Sequence, residues 1–185
     1  MVVGLFFYIA KYLVLNNQTT TAQKTILRSS DEKNTHNHKE TNHQDPKSQK
    51  RMGIYHYNEG NKFLKQNNYE EATKNYKMAL HHNKDFEESY INISTAYLKL
   101  KQFTLALKYL NILKFINPRN PFLHYNLACY YSLLGKTSMG MEALKKAIQN
   151  GFNDKNALKS DPDIQKLRQS NQFRELQKSL ELKHK

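Results

Sequence analysis

Few side chains in this sequence could do covalent chemistry. Cys129 is the only cysteine, and the preceding histidine, His124, lies five residues before it. On a helix, a separation of five residues turns the second side chain about 140° away from the first. The imidazole therefore cannot activate the thiol locally. We interpret Cys129 as a small packed residue and predict no catalytic residue.

Paired acids and clustered histidines receive the same structural interpretation. Glu70-Glu71 and Glu87-Glu88 fall at predicted helix starts, where negative charge complements the helix dipole. His36, His38 and His43 stand in a polar stretch without a cysteine, and nothing there would pre-organise them around an ion. We therefore predict no metal site and no cofactor.

The formal net charge of +13 is spread along the chain. A nucleic-acid groove would cluster its lysines and arginines on one face, so no nucleic-acid partner is expected. A general basic balance favours acidic partners or an anionic membrane surface. Two function classes remain: a protein-binding scaffold, which we favour, and an enzyme whose site is invisible in the sequence.

Residues of matching type recur at a spacing of 34 residues. The columns are Gly60, Ser94 and Ala128; Phe63, Tyr97 and Tyr131; Ala72, Ala106 and Gly140; Tyr76, Leu110 and Leu144; and Ala79, Leu113 and Ala147. A period of this length with these types is typical of a helix–turn–helix repeat array. Small residues would let two helices cross closely, while the rings fill the space beside them.

The pattern resembles the tetratricopeptide repeat family, most clearly in "YNEGNKF", "EEATKNYKMAL" and "HYNLACYYSLLG". The repeats would cover 53–86, 87–120 and 121–154. The resemblance implies an all-α, right-handed α-solenoid of three helix–turn–helix repeats, with C-terminal capping helices at 155–185. Capping pairs, Asn68 with Glu71 and Asp85 with Glu88, occur where helices should begin. Together with the apolar spacing they predict helices near 53–66, 69–83, 86–100, 103–116, 121–134 and 137–149.

The amino-terminal region has a different composition from the repeats. Residues 1–15, "MVVGLFFYIAKYLVL", are apolar except for Lys11. As a helix they would span about 22 Å, less than the bilayer core. Two interpretations stay open: a membrane anchor, which we favour, and a cleaved secretory or organellar targeting segment. Residues 16–52 are strongly polar and predict a flexible linker. The expected location is membrane-associated, with secreted, periplasmic or organellar locations as alternatives.

The resemblance implies a concave groove in which the first helix of each repeat meets a peptide. The expected function is a non-catalytic adaptor that binds a protein or peptide partner, tethered to a membrane through residues 1–15. The partner-binding residues would be Tyr57, Asn61, Asn92, Thr95, Lys99, Phe122, Tyr125 and Asn126.

Some members of the family clamp the terminal carboxylate of heat-shock chaperones with two asparagines and several basic residues. Asn61 and Asn92 match those asparagines, but Tyr57, Phe122 and Asn126 stand at the basic positions. A carboxylate would lose its charge-assisted partners there. We therefore predict no binding of chaperone tails in that way.

One helix carries an additional apolar stripe. Leu105, Tyr109 and Ile112 recur at i, i+4 and i+7 beside the positions assigned to the core. The stripe predicts a convex contact surface for self-association or for a partner helix. The alternative is that neighbouring helices or the amino-terminal segment cover it.

Overall fold

The computed structural model describes residues 45–182, which belong to one compact unit. All of its regular elements in that range are helical. They are α1 (Pro46–Lys65), α2 (Tyr69–His82), α3 (Glu87–Lys99), α4 (Phe103–Ile116), α5 (Pro121–Leu133), α6 (Thr137–Gln149), α7 (Lys155–Ser160), a 3-10 turn (Pro162–Ile164), α8 (Gln165–Arg168) and α9 (Asn171–Leu182). Within the described range, no helix has the length and apolarity needed to cross a membrane. The apolar segment 1–15 lies outside the described residues.

The first six helices pair as three hairpins. Helix α1 packs on α2, α3 on α4 and α5 on α6, and successive hairpins meet through α2–α3 and α4–α5. Contacts of α3 with α1 and with α5 bring the first helices of the hairpins together in one row. The predicted all-α, right-handed solenoid of three repeats with a capping tail is confirmed.

Small residues are points of close contact between elements, as the sequence spacing predicts. A Cβ atom on Gly60 would lie 2.6 Å from Cε1 of Tyr76, which is fully buried in α2. A Cβ atom on Gly140 would lie 2.7 Å from Cδ2 of Leu167 in α8. Ala72 and Ala106, in the same column as Gly140, are fully buried. The glycines therefore mark places where another side chain occupies the space of a Cβ atom.

Helix α1 begins seven residues before the predicted start at 53, so 46–52, assigned from the sequence to the flexible linker, are helical. The cause is an amino-terminal cap. Asp45 Oδ1 accepts hydrogen bonds from the main-chain nitrogens of Lys47 at 2.8 Å and Ser48 at 3.1 Å, and Pro46 opens the helix with a φ that suits its first turn. Gln49 Oε1 also accepts a hydrogen bond from His82 Nδ1 at 2.7 Å, which connects the extension to α2.

The tail covers the end of the third hairpin. Asp161 caps the 3-10 turn by accepting a hydrogen bond from the main-chain nitrogen of Asp163 at 2.9 Å. Ile164 and Leu167 are fully buried, and their elements pack on α5, with α8 also contacting α6. The tail therefore completes the core of the last repeat, and the region expected to hold capping helices forms three α-helices and a 3-10 turn.

Candidate peptide-binding surface

A polar network joins the inner helices of the first two hairpins. Asn61 Oδ1, on α1, accepts hydrogen bonds from the Tyr76 hydroxyl at 2.7 Å and from Asn92 Nδ2, on α3, at 2.8 Å. Asn92 Nδ2 also donates to the Tyr57 hydroxyl oxygen at 3.3 Å. Burial raises the pKa of Tyr76, which keeps its hydroxyl available as a donor. The network fixes the orientation of both amide side chains.

The two amides retain complementary hydrogen-bonding groups. With both lone pairs of Asn61 Oδ1 used, the NH₂ group of Asn61 has no partner among the described residues. The amide oxygen of Asn92 has none in the same range. Both residues are partly exposed. One amide thus keeps an unused donor and the other an unused acceptor, which are the two kinds of group that the C=O and N–H groups of a peptide bond require.

Asn126 lies in the interface between α3 and α5. Its Nδ2 atom is within hydrogen-bonding distance of Ile91 O at 3.1 Å, Ser94 Oγ at 3.0 Å and Thr95 Oγ1 at 3.0 Å. The residue is only 6% exposed. Thr95 also donates its hydroxyl to Ile91 O at 3.1 Å. These internal bonds argue against direct ligand contacts by Asn126 and indicate a structural role for it.

Two residues expected to face a ligand are bound by the tail. Lys99 Nζ forms an ion pair with Asp163 Oδ2 at 2.7 Å, and the Tyr125 hydroxyl donates to Asp161 Oδ2 at 2.7 Å. Burial lowers the pKa of Lys99, but the hydrogen bond and charge of Asp163, with the charge of Asp161, outweigh it and raise the pKa. Sequence reasoning missed both contacts, although Asp161-Pro162 is recognisable as a cap from the sequence.

Phe152 also belongs to this surface, although the sequence did not identify it as a site residue. Its ring stacks on Tyr125 with 4.1 Å between centroids and meets the edge of Phe122 at 5.7 Å. Phe122 remains 48% exposed. Of the predicted residues on α5, Phe122 is therefore the one most accessible to a ligand.

Cys129, Asp161 and Asp163 bring a sulfur and two carboxylates within 4.8 Å of one another. Cys129 is 3% exposed, and burial followed by the charges of Asp161 and Asp163 raises the pKa of its thiol well above the usual value. Nucleophilic catalysis and metal binding both require the thiolate. Lys99 already supplies the positive charge beside these carboxylates. The cluster is best explained as part of the attachment of the tail.

The predicted convex stripe is not one continuous exposed surface. Leu105 is 37% exposed, whereas Tyr109 stacks on Tyr97 with 5.6 Å between centroids. Ile112 is partly buried against the core. Phe115, one turn below Ile112 on α4, is 90% exposed. Helices of the same chain therefore cover two of the three predicted residues at least in part.

Comparisons with known proteins follow the repeat pattern. No protein-family model matches the chain. A curated chloroplastic protein of Arabidopsis thaliana is 40% identical over 57 residues, which are 31% of this chain and 17% of the relative. The chain thus matches less than a fifth of the length of that relative.

Several solved repeat domains share the architecture. The OM64 TPR domain of Arabidopsis has a TM-score of 0.56 at 18% identity, covering 65% of this chain and 97% of that one. The TPR2AB domain of yeast Sti1, in a pHSP90 complex, has a TM-score of 0.56 at 19% identity, and the match covers 64% of this chain and 47% of that one. The second TPR domain of human RPAP3, with the HSP70 peptide SGPTIEEVD, has a TM-score of 0.55 at 18% identity, and the match covers 68% of this chain and 100% of that one.

At these identities the likeness is one of fold. It agrees with the three hairpins, with the small residues at their close contacts and with the spacing of 34 residues in the sequence. The chain therefore has the tetratricopeptide repeat fold.

Proposed function

We propose that the chain is a non-catalytic adaptor that binds a partner polypeptide along the inner faces of α1 and α3. The observation that carries the proposal is the pair of hydrogen-bonded amides, in which Asn61 keeps an unused donor and Asn92 an unused acceptor. Structural neighbours of low identity, Sti1 and RPAP3, are seen with chaperone peptides. They support peptide binding as the general use of this surface.

The recognition is of the peptide backbone. An extended peptide brings unpaired N–H and C=O groups, and each carries a desolvation cost unless it gains a partner. The Asn61 NH₂ group donates to a ligand carbonyl while the Asn92 oxygen accepts from a ligand N–H. The Tyr57 ring, 4.7 Å from that of Phe86, provides an apolar surface beside the amides.

The tail limits the part of the third repeat that a ligand can use. Lys99 at the end of α3 and Tyr125 on α5 are held by Asp163 and Asp161. A ligand would have to break these contacts to use either side chain. The ligand therefore lies mainly over Tyr57, Asn61 and Asn92, with Phe122 as an outlying contact.

An isosteric substitution tests the proposal. Asn61→Asp keeps the oxygen that accepts from Tyr76 and Asn92 and removes the NH₂ donors. Peptides are first selected from a random library on the full chain, and their Kd values are measured by calorimetry. We expect Asn61→Asp to weaken binding at least about tenfold, since a lost hydrogen bond leaves a buried group unpaired. Asn111→Asp, on the exposed surface of α4, makes the same charge change and should bind normally. Equal Kd values for the wild type, Asn61→Asp and Asn111→Asp would contradict the proposal.

The cellular setting of the adaptor is proposed in two forms. Residues 1–15 either hold the protein at a membrane or direct it into an organelle and are removed. The chloroplastic relative from Arabidopsis favours the organellar form. Amino-terminal sequencing of the mature protein separates the two, because an anchor keeps residues 1–15 and a targeting segment loses them.

A further inference from the structure

A cleft of about 830 Å³ lies at the carboxyl end of the fold, between the end of α6, α7 and α9. Its apolar lining consists of Ile148, Phe152, Leu158, Phe173 and Leu176. The volume is in the range of about 300–1,000 Å³ that is typical of pockets for small ligands. The cleft is thus large enough for a ligand with a substantial apolar part.

The charged residues in the described lining of the cleft are all cationic. Lys155, Lys159 and Arg168 line it, and none of its described lining residues is acidic. Lys155 and Lys159 stand one turn apart on α7, a spacing at which like charges repel. Among the carboxylates of residues 45–179, none forms an ion pair with either lysine, and Arg168 Nη1 donates at 2.5 Å to the main-chain oxygen of Asp161. A bound anion would relieve this repulsion.

The neutral polar groups of the cleft are few. Asn153 and Gln177 are the only neutral polar side chains among the described lining residues. An extended peptide would bury several backbone amides against the apolar wall without enough partners, at a cost for each unpaired group. An alkyl chain has no such groups, and its burial is favourable because it removes apolar surface from water. The composition of the cleft therefore favours a ligand with one charged end and an alkyl chain.

We propose that this cleft binds a single-chain anionic amphiphile, such as a medium- or long-chain carboxylate. The carboxylate is held by Lys155, Lys159 and Arg168. The alkyl chain packs between Phe152 and Leu158 on one side and Phe173 and Leu176 of α9 on the other. The site is separate from the Asn61–Asn92 pair, so it does not depend on the peptide-binding function.

Calorimetry on the full chain tests the assignment. Sodium decanoate is titrated below its micellar concentration, and 1-decanol serves as the uncharged ligand of equal chain length. We expect one site for decanoate, and at least about tenfold weaker binding of decanol, because bonds to charged groups are the stronger ones. Lys155→Glu with Lys159→Glu should weaken decanoate binding by a similar factor. Lys77→Glu with Lys84→Glu, two exposed positions on and after α2, makes the same charge change and should have no effect.

A second variant tests the apolar part of the site. Leu176→Trp replaces an isobutyl group by the larger indole ring, which should fill the cleft and abolish decanoate binding. Circular dichroism reports whether the variant keeps its helix content and Tm. The proposal is wrong if decanoate does not bind, if decanol binds equally well, or if the Lys155/Lys159 variant binds as the wild type does. It is also wrong if decanoate fails while an acidic amphipathic peptide binds and loses binding in the same variant, because the cleft is then a protein-docking groove.

Discussion

Single residues decide how closely the helices approach one another, and Gly60 is the clearest case. An added Cβ atom would lie 2.6 Å from the ring of Tyr76, whose hydroxyl is bonded to Asn61. We expect Gly60→Ala to lower the free energy of unfolding by about 1–3 kcal/mol through overpacking. Gly53→Ala, where the nearest atom would be 3.3 Å away, is the matched control on α1 and should cost less. Urea denaturation measures both, and equal stability of the two variants would contradict the close approach.

A histidine cluster at the first hairpin predicts a pH dependence of stability. Burial, with His81 and His56, lowers the pKa of His82 in the folded state. The unfolded chain then binds more protons, so the stabilisation is complete above the ordinary pKa of about 6.5 and is lost as the pH falls below it. Between pH 7 and pH 5, we expect the wild-type Tm to fall more than that of His82→Gln. Parallel curves for the two proteins would show that His82 makes no contribution.

For single residues, the sequence predicts the helix on which a side chain lies better than it predicts the partner that the side chain contacts. The position of Asn61 and Asn92 on the inner helices follows from the repeat pattern. The bond between them, and the pairing of Lys99 with Asp163, does not. Lys99 and Asp163 are 64 positions apart, and no periodic signal connects them. Such contacts depend on where the tail crosses the array, which local spacing does not contain.

Helix boundaries are largely predictable because caps and periodic apolar residues act locally. Five of the six repeat helices begin and end within one residue of the predicted bounds. The exception is the start of α1. The Asp45-Pro46 cap lies in a polar stretch that was assigned to a linker from its composition. The same type of signal is recognisable at Asp161-Pro162 in the tail. Composition alone therefore underestimates a helix whose first turns carry few apolar residues.

The convex stripe of α4 allows a test of which of its residues belong to the core. Ile112 packs partly against the core, whereas Leu105 is 37% exposed. We expect Ile112→Lys to lower the free energy of unfolding by about 2 kcal/mol or more, because it removes apolar contacts and places a charge against the core. Leu105→Lys should cost less than about 1 kcal/mol. Thermal denaturation of the two variants, with sedimentation to measure association, tests this expectation. A stable Ile112→Lys protein that loses self-association would instead support the contact surface predicted from the sequence.

At the scale of the whole molecule, the repeat surface differs from a carboxylate-binding clamp. Tyr57 and Phe122 carry no charge, Asn126 is buried between helices, and Lys99 is paired with Asp163. We therefore expect the HSP70 peptide SGPTIEEVD, which is seen with the second TPR domain of human RPAP3, to show no micromolar affinity for this chain. Calorimetry with the full chain measures it. Micromolar binding that is lost in Asn61→Ala would overturn this expectation.

Nuclear magnetic resonance can show whether a peptide backbone binds to the amides of Asn61 and Asn92. The side-chain NH₂ signals of asparagine are followed while a library-selected peptide is added, and the Asn61→Asp protein identifies the signal of Asn61. We expect the Asn61 NH₂ signal to move with the peptide concentration, while that of Asn126, buried between α3 and α5, stays in place. An unchanged Asn61 signal at saturating peptide would show that the peptide does not bind to this amide.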